Sequence, residues 1–407
     1  MATFHNPNVV PDNSLLSHIF GKNVLLRLAT VRQDGDRCVF KALVLKKLEH
    51  GQNSCFVRLR ALDKPAPSFY TVAAMQKIAA SCIKHLVPAT IKIGEATNDQ
   101  GRKFQFWVME LGKGIALDNI WEKMDHENRK SVVKNLVEVL FSLQSLKISD
   151  YKVQNTFQES LGEHRKEELT EAVKASFGGP LSGFLETEAF FMAFLLKVFG
   201  FDQPFKNIFV NRFNSMKPES DPAGIVLECT AKHVDSIRIN DDDMRKLQEA
   251  VFCLNDIRPQ NITVLGVETD DGRVKYELTG LVEWAWAGFF PPSFQLSLQD
   301  SLVGVTNRHL SFYLLLKQEL IGFLSRTLPH MSLARAMFHL LEAQQVKKLA
   351  EADMEAQIRK RYMAVMRVSR DKDPYVGWKY DVEGPIPEVS AEAFDRMEID
   401  AVNSMWD

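Results

Sequence analysis

Apolar and polar residues alternate along three early stretches of the chain: "NVLLRLATV" from Asn23, "RCVFKALVLKKLE" from Arg37 and "SCFVRLRAL" from Ser54. Alternation with a period of two describes half-buried strands, and the breaks between them, "QDGD" and "HGQNS", are turn chemistry. Three strands joined by tight turns predict an antiparallel sheet. In "PSFYTVAAMQKIAASCIK" the period changes, and Val72, Met75, Ile78 and Ile83 fall on one side of a helix. After "HLVPA" come two more strand patterns, "TIKIGEAT" and "KFQFWVMEL". A helix on a five-stranded antiparallel sheet is a small α+β lobe. Residues 1–22 carry no such period and read as irregular.

Beyond "GKGIALDNIW", Gly112 to Trp121, the pattern turns mostly helical. "NRKSVVKNLVEVLFSLQSLK", "LETEAFFMAFLLKVFG" and "DDDMRKLQEAVFCL" read as helices, the last opened by acidic residues that suit a helix N-terminus. A polar loop follows, then a hairpin, "NITVLGV" and "KYELTGLVEW", joined by "ETDDGR" with its Asp-Gly turn. From about Ser301 to Val368 the chain is again helical. The last stretch, from "SRDKDPYVGW" onward, is rich in Pro, Gly and acidic residues and reads as a draped or loose tail. The expected organisation is a β-rich lobe over 1–111, a helical lobe over 112–370 and a tail over 371–407. No internal repeat stands out.

Composition narrows the function classes. A chain of 407 residues with 45% hydrophobic and 25% charged residues is ordinary for a soluble globular protein and long enough for two lobes. Its formal net charge of -2 gives no electrostatic case for nucleic acid or an anionic membrane surface. The N-terminus has no basic segment followed by an apolar one, and the apolar stretch from Phe190 to Phe201 is too short to span a bilayer and holds Lys197. Five cysteines without a CxxC spacing read as reduced, mostly buried thiols, so a cytoplasmic protein is expected. The basic stretch "QIRKRYMAVMRVSRDK" reads as a helix with a solvated basic face, and Trp284, Trp286, Phe289 and Phe290 as helical-lobe core. His233 and Asp235 would point the same way only in a strand.

The chemistry gathers in "FCLNDIRPQNITV", Phe252 to Val264, where Asp256 and Asn261 stand five positions apart with Pro259 between them. Alone the spacing is a weak signal, because a turn capped by Asp256 with Asn261 bonded to backbone fits it equally. In context it is stronger. A β-rich lobe, a linker, a helical lobe and an Asp-x-x-x-x-Asn loop opening into a hairpin are the layout of a kinase-like phosphotransferase. In that layout Asp256 accepts the proton of an attacking hydroxyl. Asn261 offers a neutral oxygen to Mg²⁺, and the hairpin returns Glu283 as a second hard-oxygen ligand.

"VFCLNDIRPQNITV" followed by "LTGLVEWAWAGFFPPSF" resembles the aminoglycoside phosphotransferase/choline kinase-like family, especially its fungal branch. "VPATIKIGEA", "FWVMELGKGIALDNIW" and "FGGPLSGFLETEAFFMAFL" are similar to further family segments, so the resemblance covers about residues 50 to 300 in the right order. It implies a two-lobed, protein-kinase-like α+β fold that uses ATP and Mg²⁺ on a small-molecule hydroxyl. It also implies a phosphate-clamping cation at Arg58 and backbone of Glu110 and Leu111 facing the adenine.

Several positions depart from the family pattern. Leu254 stands where the catalytic-loop His is usual, Glu283 where an Asp is, Arg58 where the strand Lys is, and Thr71 where its Glu partner is. No Gly-rich loop lies between the first strands. These departures support a second class, a kinase-fold protein that has lost phosphotransfer and binds a partner or metabolite, or uses its cleft for another reaction in secondary metabolism. An acidic partner for Arg58 converging with Glu283 would favour nucleotide use; a cleft filled by apolar side chains around Leu254 would oppose it.

Overall fold

A computed structural model describes residues 9–161 except 22, 49–50, 64–67 and 148–149. It also describes 209–210, 224–227, 237–240, 251–290, 292–328, scattered positions from 330 to 345, and 348–403. The helix expected at "LETEAFFMAFLLKVFG", the "FGGPLSGF" segment, His233 and Asp235 lie outside the described residues.

The described chain opens on a helix, α1 (Asn13–Phe20), where irregular backbone was expected. Two turns are too short for a period to stand out. The helix is held by a cap, the Asp12 carboxylate accepting from the Leu15 N–H at 2.9 Å, and by packing of Leu15 and Ile19 on the sheet. The expected strands follow: β1 (Leu25–Gln33), β2 (Arg37–Val44), β3 (Ser54–Ala61), β4 (Thr90–Thr97) and β5 (Lys103–Glu110). They form one antiparallel sheet in the order β1-β2-β3-β5-β4. Helix α2 (Phe69–Ile83) connects β3 to β4, with Val72, Met75, Ile78 and Ile83 all buried as its spacing predicts.

Strand alternation gives this sheet two different faces. Cys38, Phe40, Cys55, Val57 and Leu59 bury against α1. Phe56, Trp107 and Met109 take the opposite face and join the core shared with the helical lobe. Polar residues Lys41 and Arg58 are on that same face, since Lys41 pairs with Phe56 and Arg58 with Trp107.

The linker crosses through β6 (Ile115–Ala116) and two single-turn helices, Leu117–Asn119 and Trp121–Lys123, into α3 (His126–Leu143) and α4 (Tyr151–Leu161). Three short strands, β7 (Phe209–Val210), β8 (Gly224–Leu227) and β9 (Ile237–Asn240), make an antiparallel sheet where helical structure was expected. Next comes β10 (Val251–Cys253), which was expected to be the end of the "DDDMRKLQEAVFCL" helix. A three-residue apolar run cannot declare helix or strand by itself. Its pairing with a distant strand decides. That partner is β13 (Gly288–Phe290), and between them runs the expected hairpin, β11 (Ile262–Glu268) and β12 (Val274–Leu281). Helices α5 (Pro292–Leu302), α6 (Leu310–Ile321) and α7 (Met354–Val365) follow. The lobes together have the expected two-lobed α+β form.

The C-terminal segment is not a loose tail. It carries β14 (Val368–Arg370), β15 (Trp378–Tyr380) and α8 (Ala391–Asn403), and Tyr375, Val389, Phe394 and Ala401 are buried. Asp300 of α5 anchors it. Lys317 and Tyr313 bond Asp300 at 2.9 and 2.8 Å, Arg370 reaches its other oxygen at 2.7 Å, and the Trp378 indole donates to its carbonyl at 3.0 Å. Proline and glycine content described the local backbone and missed these few large anchors.

Candidate functional site

Strand pairing alone places the two key loops side by side. Strand β10 pairs with β13 and β11 with β12, so the loop between β10 and β11 must face the loop between β12 and β13. The first carries Asp256 and Asn261, the second Glu283. A 2.9 Å bond from the Val282 N–H to the Asn261 carbonyl staples them. Two of the four non-glycine residues with positive φ among the described residues are here, Asn255 and Glu283, both at 68°. Such conformations concentrate where a fixed loop shape is needed.

Asp256 is only 4% exposed. Its Oδ2 accepts from Arg258 at 3.0 Å and from the Asn261 amide at 2.9 Å, and the same amide donates to the Asp256 carbonyl at 3.0 Å. The turn-forming alternative and the functional one therefore share one geometry: Asn261 closes the turn with its nitrogen and keeps Oδ1 for another partner. Burial raises the Asp256 carboxyl pKa above its ordinary value, with the nearby Glu283 charge adding to the rise. Arg258 and the Asn261 bond oppose the shift and do not cancel it.

Glu283 meets the sheet. Arg58 Nη1 donates to its Oε1 at 2.8 Å across 225 positions of sequence. Burial works to raise the Glu283 carboxyl, but Arg58, with Arg258 and Arg37, outweighs it and holds the group below its usual range. The guanidinium of Arg58 also lies 5.8 Å from the Trp107 ring centre and 6.0 Å from that of Phe56. Its Nε is buried with no hydrogen-bond partner among the described residues, the kind of donor an anion satisfies.

Arg58 and Glu283 border a cleft of about 420 Å³ between the lobes. Arg58, Glu110, Leu111 and Glu283 all line it, with Phe56, Trp107 and Met109 as apolar wall. Asp256 and Asn261 are not among its lining residues. Their loop reaches it through Gln260. The Glu110 side chain accepts from the Ala89 N–H at 3.1 Å, and the Glu110 N–H donates to the Ala89 carbonyl at 2.9 Å, so both are committed to the β4 side of the cleft edge.

Leu254 is 1% exposed and belongs to the main core, so it does not fill the cleft. Support for the loop comes from α5 instead. Gln295 Oε1 accepts from the Leu254 N–H at 2.9 Å and from the Asn255 N–H at 3.3 Å, and Gln299 donates to the Asn255 carbonyl at 3.0 Å. Two glutamines four apart, and so on one face of this helix, were the available signal. The position matched to a helix glutamate also moves: Thr71 is buried outside the cleft, and the α2 side chain lining it is Gln76, bonded to the Pro88 carbonyl. The acidic partner of Arg58 is accordingly Glu283. Of the aromatic group, Trp284, Phe289 and Phe290 are core, whereas Trp286 is 38% exposed. Sequence reasoning also passed over Lys41, Arg258 and Gln260. Gln260 lines the cleft and donates to Asp118 at 2.9 Å.

The donor set suits a hard cation. Asn261 Oδ1 and Glu283 Oε2 are hard oxygens not used in the hydrogen bonds above, and Mg²⁺ in nucleotide sites takes one or two protein oxygens besides phosphate and water. Among the described residues, no helix is long and apolar enough to cross a membrane, and Cys38, Cys55 and Cys253 are buried free thiols while Cys82 is exposed.

No protein-family model matches the sequence, and no curated protein matches it. Several solved structures are similar in outline. Wild-type aminoglycoside 2'-phosphotransferase-IIIa in its GDP complex aligns at 11% identity over 97% of this chain and 100% of its own, with a TM-score of 0.38. The streptomycin–ATP complex of APH(2")-IIa aligns at 11% identity over 88% and 96%, with a TM-score of 0.42. AMP-bound spectinomycin phosphotransferase, APH(9)-Ia, aligns at 12% identity over 83% and 89%, with a TM-score of 0.35.

Proposed function

We propose that this protein transfers the γ-phosphate of ATP to a hydroxyl of a small molecule. The observation that carries this reading is that Arg58 and Glu283 meet in a cleft also lined by Glu110 and Leu111, with the Asp256–Asn261 loop stapled to the Glu283 loop and reaching the cleft through Gln260. The Glu110–Leu111 backbone is suited to the base, Arg58 to phosphate oxygens, and Asn261 and Glu283 to Mg²⁺. When bound, the metal would supply charge neutralisation on the phosphates. Asp256 accepts the hydroxyl proton through the oxygen left free by Arg258 and Asn261. The acceptor oxygen bonds to the γ-phosphorus, the bond to the bridging oxygen breaks, and ADP leaves with that electron pair. Arg258 keeps Asp256 available as a carboxylate despite its burial. Positioning and charge supply most of the rate.

Calorimetric titration of Mg²⁺–ATP tests the first half, on the wild type and on the double variant Asn261→Ala, Glu283→Ala. Micromolar binding that needs both Mg²⁺ and these side chains supports the reading, and ADP release over a panel of small alcohols then tests transfer. No binding at millimolar nucleotide overturns it. Binding without transfer to any acceptor assigns the cleft to the second class, a nucleotide-binding protein of kinase-like form.

A further inference from the structure

A nucleotide triphosphate brings several negative charges into the cleft, beside the carboxylate of Glu283. Among the described residues that line it, only Lys41 and Arg58 are cationic. Arg58 is largely committed, by its 2.8 Å bond to Glu283 and its place against Trp107 and Phe56. Arg60, next on the same strand face, turns back into the lobe, bonding Gln105 at 2.8 Å and lying 4.8 Å from the Phe69 ring centre.

Backbone offers no substitute at the turn between β1 and β2. Asp34 Oδ1 accepts from the N–H groups of Asp36 at 3.0 Å and Arg37 at 2.8 Å. A turn whose amides close on its own aspartate, with a second aspartate beside it, forms no nest for phosphate.

Lys41 is differently placed. Its neighbours Phe40 and Ala42 bury on the α1 side of β2, so alternation puts Lys41 on the cleft face, opposite Phe56 and diagonal to Arg58. It is exposed, and its side chain has no hydrogen bond or ion pair among the described residues. It lines the cavity between the Glu110–Leu111 edge and the Arg58–Glu283 pair, the span a phosphate chain would cross.

We infer that Lys41 is the cation that receives the nucleotide's phosphate chain, a task the β3 position serves only in part because Arg58 is tied to Glu283. The inference rests on the phosphotransferase reading and extends it to a residue outside the expected clamp. Lysine suits the task as a compact charge on a flexible stem, needing no fixed fork geometry.

The test is calorimetric titration of the full chain with Mg²⁺–ATP, ADP, AMP and adenosine, comparing wild type with Lys41→Met and Lys41→Arg. Because Lys41 is exposed, an unchanged unfolding midpoint is the control for fold. The expected result is a loss of tenfold or more in ATP and ADP affinity for Lys41→Met, adenosine affinity unchanged, and most of the loss restored in Lys41→Arg. Equal ATP and ADP affinity in wild type and Lys41→Met overturns the inference while leaving the phosphotransferase reading intact. An equal loss for adenosine also overturns it, since the side chain would then serve packing or the nucleoside. If wild type binds none of the four, the phosphotransferase reading fails, and the inference with it.

Discussion

Asp256 is pulled in two directions at once. Burial and the Glu283 charge favour its protonated form, and Arg258 and Asn261 favour the carboxylate, with a net rise. A base works only when deprotonated, so the acid limb of kcat/KM for phosphate transfer should lie above the ordinary aspartate value. Arg258→Met removes the main opposing charge and should push that limb to still higher pH. A pH–rate profile unmoved by Arg258→Met would contradict this assignment. Asp256→Asn should cost about 10²- to 10⁴-fold in kcat, the usual worth of a positioned base, while Mg²⁺–ATP affinity stays near wild type in calorimetry.

At the scale of elements, two supports hold the loops in place. The first is the linker, where Gly114 has φ 85° and passes so close to β11 that a Cβ would collide with the Val264 carbonyl. Gly114→Ala should therefore strain the crossing of β6 onto β11 and lower the thermal midpoint, with loss of nucleotide affinity as the cleft edge shifts. The second is α5. Gln295→Leu would leave two buried loop amides without their acceptor, at a cost of about 1–3 kcal/mol in urea unfolding. A neutral result would mean that the loop does not depend on α5.

Over the whole molecule, a buried network ties the C-terminal segment to the loop. His309, fully buried, lies 3.2 Å from Asp118 on one ring nitrogen and 3.2 Å from Glu388 on the other, and Asp118 also accepts from Gln260. Arg129 bonds Glu388 at 2.7 Å, and Arg308 bonds Asp118 and Glu122. Burial disfavours the imidazolium, but the Asp118 and Glu388 carboxylates on either side of the ring outweigh burial and raise its pKa. A raised histidine pKa contributes stability that is fully present below the unfolded value, about 6.5, and is lost as pH rises through the folded value. Glu388 and Asp118 are held low despite burial, so their contribution is lost at the acid end. The urea midpoint should fall as pH rises above about 6.5, and His309→Gln should flatten that slope. Asp300→Ala tests the other anchor. Leaving Lys317 buried and unpaired should cost about 3–5 kcal/mol by denaturant unfolding.

What could be read along the chain was whatever repeats locally. The five strands of the small lobe, α2, α3, the β11–β12 hairpin and the helices α6 and α7 follow from periods of two and 3.6, because burying one face of an element imposes that period on its own residues. Asp256, Asn261, Glu283 and Arg58 were nameable because residue type and order pointed to them. Helix α1, strand β10 and the packed C-terminal segment were not legible, since each is stabilised by contacts with remote partners and not by its own pattern. The sequence by itself determined which residues could carry charge, bind metal or accept a proton. Only the tertiary structure decided their pairing: Arg58 with Glu283 in place of a helix residue, Arg258 against Asp256, Lys41 facing the cleft, and His309 between two carboxylates. The reason is physical. Periodicity is a property of neighbours, whereas an ion pair across 225 positions exists only after strands and helices have packed and brought its two ends within 2.8 Å.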